Sequence, residues 1–253
     1  MKFTFLGTGT SGGVPSLGCA CAVCRSTDRH DKRLRSAALI ETDTTRILID
    51  SGPDIRQQLM PLPFKKIDGV LLTHIHYDHV AGIDDLRPFC VFGDINIYAD
   101  ESTVKALKQT MPYCFTEKLY PGVPLLRLHQ IVPHLRRKIG DIEFTPVQVM
   151  HDRLPILGFR FGNFAYITDM KTIEATEYKY LRGVDTLVVN ALRWEKPHHS
   201  HMLVDEAVEF SHRVGARQTY FIHMNHQIGF HDEANRRLPE GFCLAYDGLQ
   251  INV

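Results

Sequence analysis

The chain has 253 residues, 44% of them hydrophobic and 23% charged, and its 29 Lys and Arg balance its 29 Asp and Glu. That balance argues against long nucleic acid as a partner, since wrapping a polyanion needs an excess of cations. No apolar run reaches the ~20 residues that span a bilayer, and Met1–Pro15 is too short and too broken by glycine for a signal peptide, so a cytoplasmic protein is expected.

In chain order, Lys2–Leu6 reads as a strand that stops at Gly7-Thr8-Gly9-Thr10. The glycine stretch 7–13 lacks the Lys-Ser/Thr of a phosphate-binding loop and matches G-x-G-x-x-G only weakly, so it is read as a turn needing close backbone approach. Cys19, Cys21 and Cys24 follow at a spacing that fits three corners of a tetrahedral zinc site. The fourth corner is not fixed by local spacing, and Cys90, Cys114, Cys243 or a His could supply it. The basic runs Arg33–Arg35 and Arg136–Lys138 read as solvated faces.

Ala37–Glu41 and Arg46–Asp50 read as a hairpin, and Gly69–Thr73 as a strand buried on both faces. Ile95–Ala99 is a further strand, and Glu101–Met111 a helix capped by Asp100. Strands are expected at Ile142–Val149, Gly158–Phe161, Phe164–Thr168, Thr186–Asn190 and Thr219–His223. Helices are expected at Thr172–Arg182 and on the face made by Leu203, Ala207, Phe210 and Val214, stopped by Gly215. Leu244–Tyr246 and Leu249–Val253 read as a terminal hairpin around Asp247-Gly248. Two sheets with helices outside them, in one α/β domain over 1–253, follow from this order; the pattern alone does not separate it from a doubly wound sheet.

The strongest chemical signal is Thr73-His74-Ile75-His76-Tyr77-Asp78-His79. H-x-H-x-D-H arises by chance in a chain of this composition about three times in a thousand. It follows a buried strand, at the carboxyl end where α/β sheets bind ligands. Four donors in six residues converge poorly on one ion, which points to two divalent metals, zinc or manganese among them. His151, Asp169 and His223, each at the end of an expected strand, are candidate further ligands.

This His74-x-His76-x-Asp78-His79 signature with later His, Asp and His resembles the metallo-β-lactamase-fold hydrolases over nearly the whole chain. Phe5-Leu6-Gly7-Thr8-Gly9-Thr10 is similar to the opening of the ribonuclease Z and PhnP branch. The cysteine cluster, His223-Met224-Asn225-His226 and Gly241-Phe242 … Tyr246-Asp247-Gly248 are similar to the PhnP-type phosphodiesterases. The resemblance implies a four-layer αββα sandwich, one metal on His74, His76 and His151, a second on Asp78, His79 and His223, and Asp169 between them. It implies His226 as the fourth ligand of a structural zinc, and a homodimer.

It also implies hydrolysis of a small phosphodiester, cyclic diesters included, by a hydroxide held between the two metals near Asp78, with a His donating a proton to the departing alkoxide. His201 matches that acid best, with His198 and His199 within three residues. Glu stands in place of His76 in the flavodiiron oxygen reductases. Only 17 residues separate His151 from Asp169, too few for the long arm of bacterial ribonuclease Z. The alternatives are a thioester hydrolase of the glyoxalase II type and a non-enzymatic accessory protein like PqqB.

Overall fold

The computed structural model describes residues 1–116, 119–120 and 122–253. In chain order the strands are β1 (Lys2–Gly7), β2 (Ala37–Glu41), β3 (Arg46–Ile49), β4 (Gly69–Leu71), β5 (Ile95–Ala99), β6 (Leu126–Gln130), β7 (Arg137–Ile139), β8 (Ile142–His151), β9 (Leu154–Phe161), β10 (Phe164–Ile167), β11 (Thr186–Asn190), β12 (Gln218–Ile222), β13 (Phe242–Leu244) and β14 (Gln250–Asn252). The helices are α1 (Ala22–Arg25), α2 (Ile55–Leu59), α3 (Tyr77–Val80), α4 (Glu101–Thr110), α5 (Tyr178–Leu181), α6 (Val204–Val214) and α7 (His231–Arg236). Among the described residues these strands form two seven-stranded sheets, ordered β14-β1-β2-β3-β4-β5-β6 and β13-β12-β11-β10-β9-β8-β7.

Three apolar clusters explain the layering. Phe3 and Phe5 of β1 meet Phe159, Phe161, Phe164 and Tyr166 between the sheets. Leu39, Leu48, Ile55 and Leu107 seal the outer face of the first sheet, and Leu187, Val189, Ala207 and Phe210 that of the second. In β3, Ile47 and Ile49 belong to the middle cluster and Leu48 to an outer one, because successive strand side chains face opposite ways. Strands covered on both faces read as continuous apolar runs. The expected αββα sandwich is therefore the fold. Among the described residues no helix is long and apolar enough to cross a membrane.

Most expected elements lie where the sequence puts them. β2 and β3 pair antiparallel, with Ala38 opposite Ile49. Asp100 caps α4 by accepting from the Thr103 amide at 2.9 Å, and Gly215 ends α6 with φ 83°. Strands β6 and β7 were not foreseen.

Three expectations are corrected. The helix over Thr172–Arg182 shrinks to α5, because Thr172 is taken up in a bridge to Met150, with amide-to-carbonyl bonds of 2.9 and 3.2 Å. The terminal hairpin does not form. β13 pairs parallel with β12 in one sheet and β14 pairs antiparallel with β1 in the other, so Asp247-Gly248 is a crossing between layers. Its carboxylate accepts from Thr8 Oγ1 at 2.7 Å and from the Leu34 amide at 2.6 Å.

The third correction concerns Arg33, which is 3% exposed rather than solvated. It donates to Thr8 Oγ1 at 2.8 Å, to the Ala245 carbonyl at 2.6 Å and to Nδ1 of His231 at 3.1 Å. Arg35 pairs with Asp54 at 2.8 Å.

Burial, and then the Arg33 charge, push the His231 imidazole down to about 4. The unfolded chain takes a proton near pH 6.5 and the folded chain does not until lower pH, so stability falls as pH drops through this window. His231→Gln should flatten that fall, by on the order of 2 kcal/mol between pH 6.5 and 4. Denaturant titrations of both proteins across the range will measure it, and parallel curves would refute the assignment.

Candidate metal centre

The parallel strands of both sheets end on one side of the molecule, and each end delivers a polar residue. Asp50 follows β3, Asp169 lies two residues past β10, and His223 follows β12; their φ values are 61°, 56° and 57°. Left-handed backbone is uncommon outside glycine and clusters at functional sites. Here it breaks each strand and turns the next side chain into the shared end. Asn190, at the end of β11, holds the turn after Asp169. It accepts from the Met170 amide at 2.7 Å and donates to the Met170 carbonyl at 2.9 Å.

The loop after β4 carries His74 and His76, and α3 carries Asp78 and His79. This short helix is seated by backbone: the Ser51 amide donates to the His79 carbonyl at 2.7 Å, and the Gly82 amide to the Ser51 carbonyl at 2.8 Å. A Cβ on Gly52 would overlap the carbonyl oxygen of Asp78. Only glycine allows that approach.

Donor atoms within 4.8 Å of one another form two adjoining groups, His74/His76/His151 and Asp78/His79/Asp169/His223, and His201 converges in the same way with His151 and Asp169. Asp169 joins them. Its Oδ2 lies 3.9 Å from Nε2 of His74 in the first group, and 3.4 and 3.2 Å from Nε2 of His79 and His223 in the second. All seven residues anticipated from the sequence are thus brought together. His76 is exposed and the other six are buried, so approach is from the His76 side.

The donor set fits divalent metal ions. Nε2 of His74, His79 and His223 are buried without a hydrogen-bond partner, an expensive arrangement unless something else binds those lone pairs. Tautomers agree with this. Nδ1 of His151 donates to the carbonyls of Asp169 and Ser200 at 2.6 and 2.9 Å, which leaves its Nε2 as a lone pair. Burial alone would raise the Asp169 carboxyl, but His223 and His79 outweigh it and hold it well below its usual range. Asp78 is lowered in the same way, against burial, by His79 and His223.

Asp50 was not singled out from the sequence. Its carboxylate accepts from the Thr73 amide at 2.9 Å, from Thr73 Oγ1 at 2.9 Å and from Nδ1 of His79 at 2.7 Å. Thr73 Oγ1, its own proton committed to Asp50, accepts from Nδ1 of His74 at 3.0 Å. One buried carboxylate therefore orients a ligand in each group. Burial raises Asp50, and Asp169, Asp50 and Asp78 together lift His79 well above the usual range against its own burial. The only sequence signal was an Asp directly after a buried strand.

His201 lies beside the centre, its ring 4.7 Å from those of His151 and His223. Burial, and then His223, push it down to about 2, so at neutral pH it is an uncharged ring with one N–H to donate. His198 and His199 stack outward from it.

The cysteine cluster finds its fourth partner in His226, whose Nδ1 lies 3.1, 3.6 and 3.2 Å from Sγ of Cys19, Cys21 and Cys24. One imidazole nitrogen cannot bond three sulfurs at once, so this convergence has the form of a Cys₃His site. Burial pushes the Cys24 thiol up to about 11, and a cation would be needed to hold it as thiolate. Cys90, Cys114 and Cys243 lie elsewhere. A further group, His30, His231 and Asp232, also converges, but the Arg33 guanidinium on Nδ1 of His231 opposes a cation there.

Residues 45–224 match the Beta-lactamase superfamily domain. The chain belongs to the β-lactamase superfamily. Across its full length it is 39% identical to a structure described as a new diphosphatase from the PhnP family, with a TM-score of 0.91 over 97% of that chain. It is thus a PhnP-like protein of the metallo-β-lactamase fold. A curated relative, the octanoyltransferase of Porphyromonas gingivalis, is 42% identical over all of this chain and 52% of its own length. The chain spans about half the length of that relative. Zinc-bound PqqB from Methylobacterium extorquens, at 19% identity and a TM-score of 0.81 over all of both chains, shares the fold. The superfamily match begins after Cys24 and ends before His226, so it spans the His/Asp residues and leaves the cysteine cluster outside.

Two outcomes follow for this centre. Asp50→Asn should weaken divalent-metal affinity by ~10–100-fold, the usual effect of losing a carboxylate behind a metal-binding His. Competition with a chromogenic chelator will measure it, and unchanged affinity would remove Asp50 from its orienting role. Cys21→Ser should lose one zinc per chain and some thermal stability while the His/Asp metals stay bound. Elemental analysis giving the same metal count in variant and parent would rule out the cysteine site.

Proposed function

We propose that this chain is a two-metal phosphodiesterase acting on a small phosphoryl substrate, such as a cyclic diester or a diester of diphosphate. The observation that carries the reading is Asp169 Oδ2, set between two histidine-rich donor groups in contact distance of both. His74, His76 and His151 would hold one ion, Asp78, His79 and His223 the other, and Asp169 would touch each. Zinc and manganese both suit imidazole and carboxylate donors. Divalent ions there would activate water and offset charge on the phosphoryl oxygens. Two divalent cations against two carboxylates leave a net positive centre, matched to a phosphodiester anion.

The chain's own residues supply the rest. Asp50 and Thr73 fix ring orientation, the left-handed turn at Asp169 fixes the shared carboxylate, and exposed His76 borders the way in. His201 offers its N–H toward a departing oxygen. An anionic phosphoryl group beside it would favour the imidazolium and so let it serve as general acid. The PhnP-family diphosphatase, similar over the full length, supports phosphoryl chemistry.

The octanoyltransferase name belongs to a protein about twice as long, and the donor groups that gather at the candidate centre include no cysteine to carry an acyl group. Glyoxalase-type thioester hydrolysis and a PqqB-like accessory role remain the competing readings, and we favour neither.

Metal-reconstituted protein should turn over bis(p-nitrophenyl) phosphate and leave a lactoyl thioester of glutathione intact. Asp169→Ala should lower the phosphodiesterase rate by ~10³-fold or more, since the nucleophile and both metals lose their common support. Thioester turnover alone, or no turnover of either, would overturn the proposal.

A further inference from the structure

A file of imidazoles leads out of the metal centre. The His223 ring, 1% exposed, stands 4.7 Å from that of His201; His201 stands 4.9 Å from His198, and His198 stands 4.6 Å from His199. Successive planes incline by only 32°, 30° and 28°, so the rings succeed one another like steps. Burial falls along the file: His201 is buried, His198 half-buried and His199 exposed. Neither His198 nor His199 belongs to a metal-binding group.

The chemistry of these steps is that of hydrogen-bond donors. The Ser200 amide donates to Nδ1 of His198 at 3.3 Å, and Ser200 Oγ lies 3.2 Å from the same nitrogen. With Nδ1 accepting, a neutral His198 carries its proton on Nε2, away from Ser200. The surroundings are cationic. Arg193 is tethered through Nε to the Lys196 carbonyl at 2.9 Å and through Nη1 to Gln227 at 2.8 Å. Lys196, exposed with φ 64°, has no ion-pair partner among the described residues. Glu195 is the single carboxylate in this loop. One phosphodiester, neutralised at the metals, would leave these outer donors without a counterpart.

We propose that His198 and His199 form a subsite for a second phosphoryl group, so that the preferred substrate is a diester of diphosphate. This rests on the phosphoryl-transfer reading above. Water would add to the phosphorus at the metals, and the bridging P–O bond would break with its electron pair leaving on the second phosphoryl group. Two phosphomonoesters result, and the two protons of water pass to the products or the solvent. His201 lies nearest the departing bridging oxygen, and His198 and His199 bind the oxygens of the outer phosphoryl group.

The test compares metal-reconstituted full chains on diadenosine diphosphate and on bis(p-nitrophenyl) phosphate. In the double variant His198→Ala, His199→Ala, KM for the diphosphate should rise by ~10–100-fold, the loss of one or two hydrogen bonds to a charged group. KM for the p-nitrophenyl diester should change several-fold less. Methylenediphosphonate binding by calorimetry should weaken in parallel, and the exposed single variant His199→Ala gives a smaller loss of the same kind should the double variant fold poorly. Equal losses on both substrates, or a parent enzyme that cleaves only the p-nitrophenyl diester, would overturn the subsite and leave the phosphodiesterase reading standing. A parent that cleaves neither would sink both.

Discussion

Everything at the metal centre leans on a carboxylate that would touch no metal. Asp50 has no solvent exposure, and its two oxygens are shared among the Thr73 amide, the Thr73 hydroxyl and the His79 ring. A buried carboxylate is stable only when such donors surround it. In gathering them it decides which nitrogen of His79 bears a proton, and through Thr73 it decides the same for His74. Metal-binding histidines need their second nitrogen committed in this way. The loop after β3 thereby controls ligands drawn from the loop after β4 and from α3.

Backbone strain and glycine packing serve the same end. Asp50, Asp169 and His223 hold left-handed conformations that cost about 1–3 kcal/mol each unless the surroundings enforce them. The surroundings are visible at each: Gly52 against Asp78, Asn190 clamping Met170, and the Thr8 and Thr10 backbone bracketing Met224 at 3.1 and 3.0 Å. Met224 sits between His223 of the His/Asp group and His226 of the cysteine site. A metal at the second site would therefore stiffen the strand end that feeds the first.

The sequence was most legible where chemistry is concentrated. His74 to His79 are neighbours in the chain, so their rarity as a set could be seen without a structure, and His151, Asp169 and His223 could be sought at strand ends. His226 became readable only through family resemblance, since 202 positions separate it from Cys24. Asp50 carried no pattern of its own; its meaning lies in Thr73 and His79, brought near by the parallel pairing of β3 and β4. Misreadings came from local rules overruled at long range. Asp247-Gly248 has the composition of a tight turn, yet each flanking strand finds a better partner in a different sheet. Thr172 has helical company in sequence but pairs with Met150. Arg33 resembles its charged neighbours and differs only in being met by Thr8, Ala245 and His231.

The closing segment has a consequence for the order of assembly. β13 completes one sheet and β14 the other, and the amino group of Met1 donates to the Val253 carbonyl at 2.6 Å across 252 positions. During synthesis β1 therefore emerges with one edge unpaired, and stays so until the last strand of the domain leaves the ribosome. Contacts of such sequence separation are entropically slow to close. The nascent chain must carry an open sheet edge until residues 250–252 have emerged, a period in which pairing with the wrong partner is the main hazard.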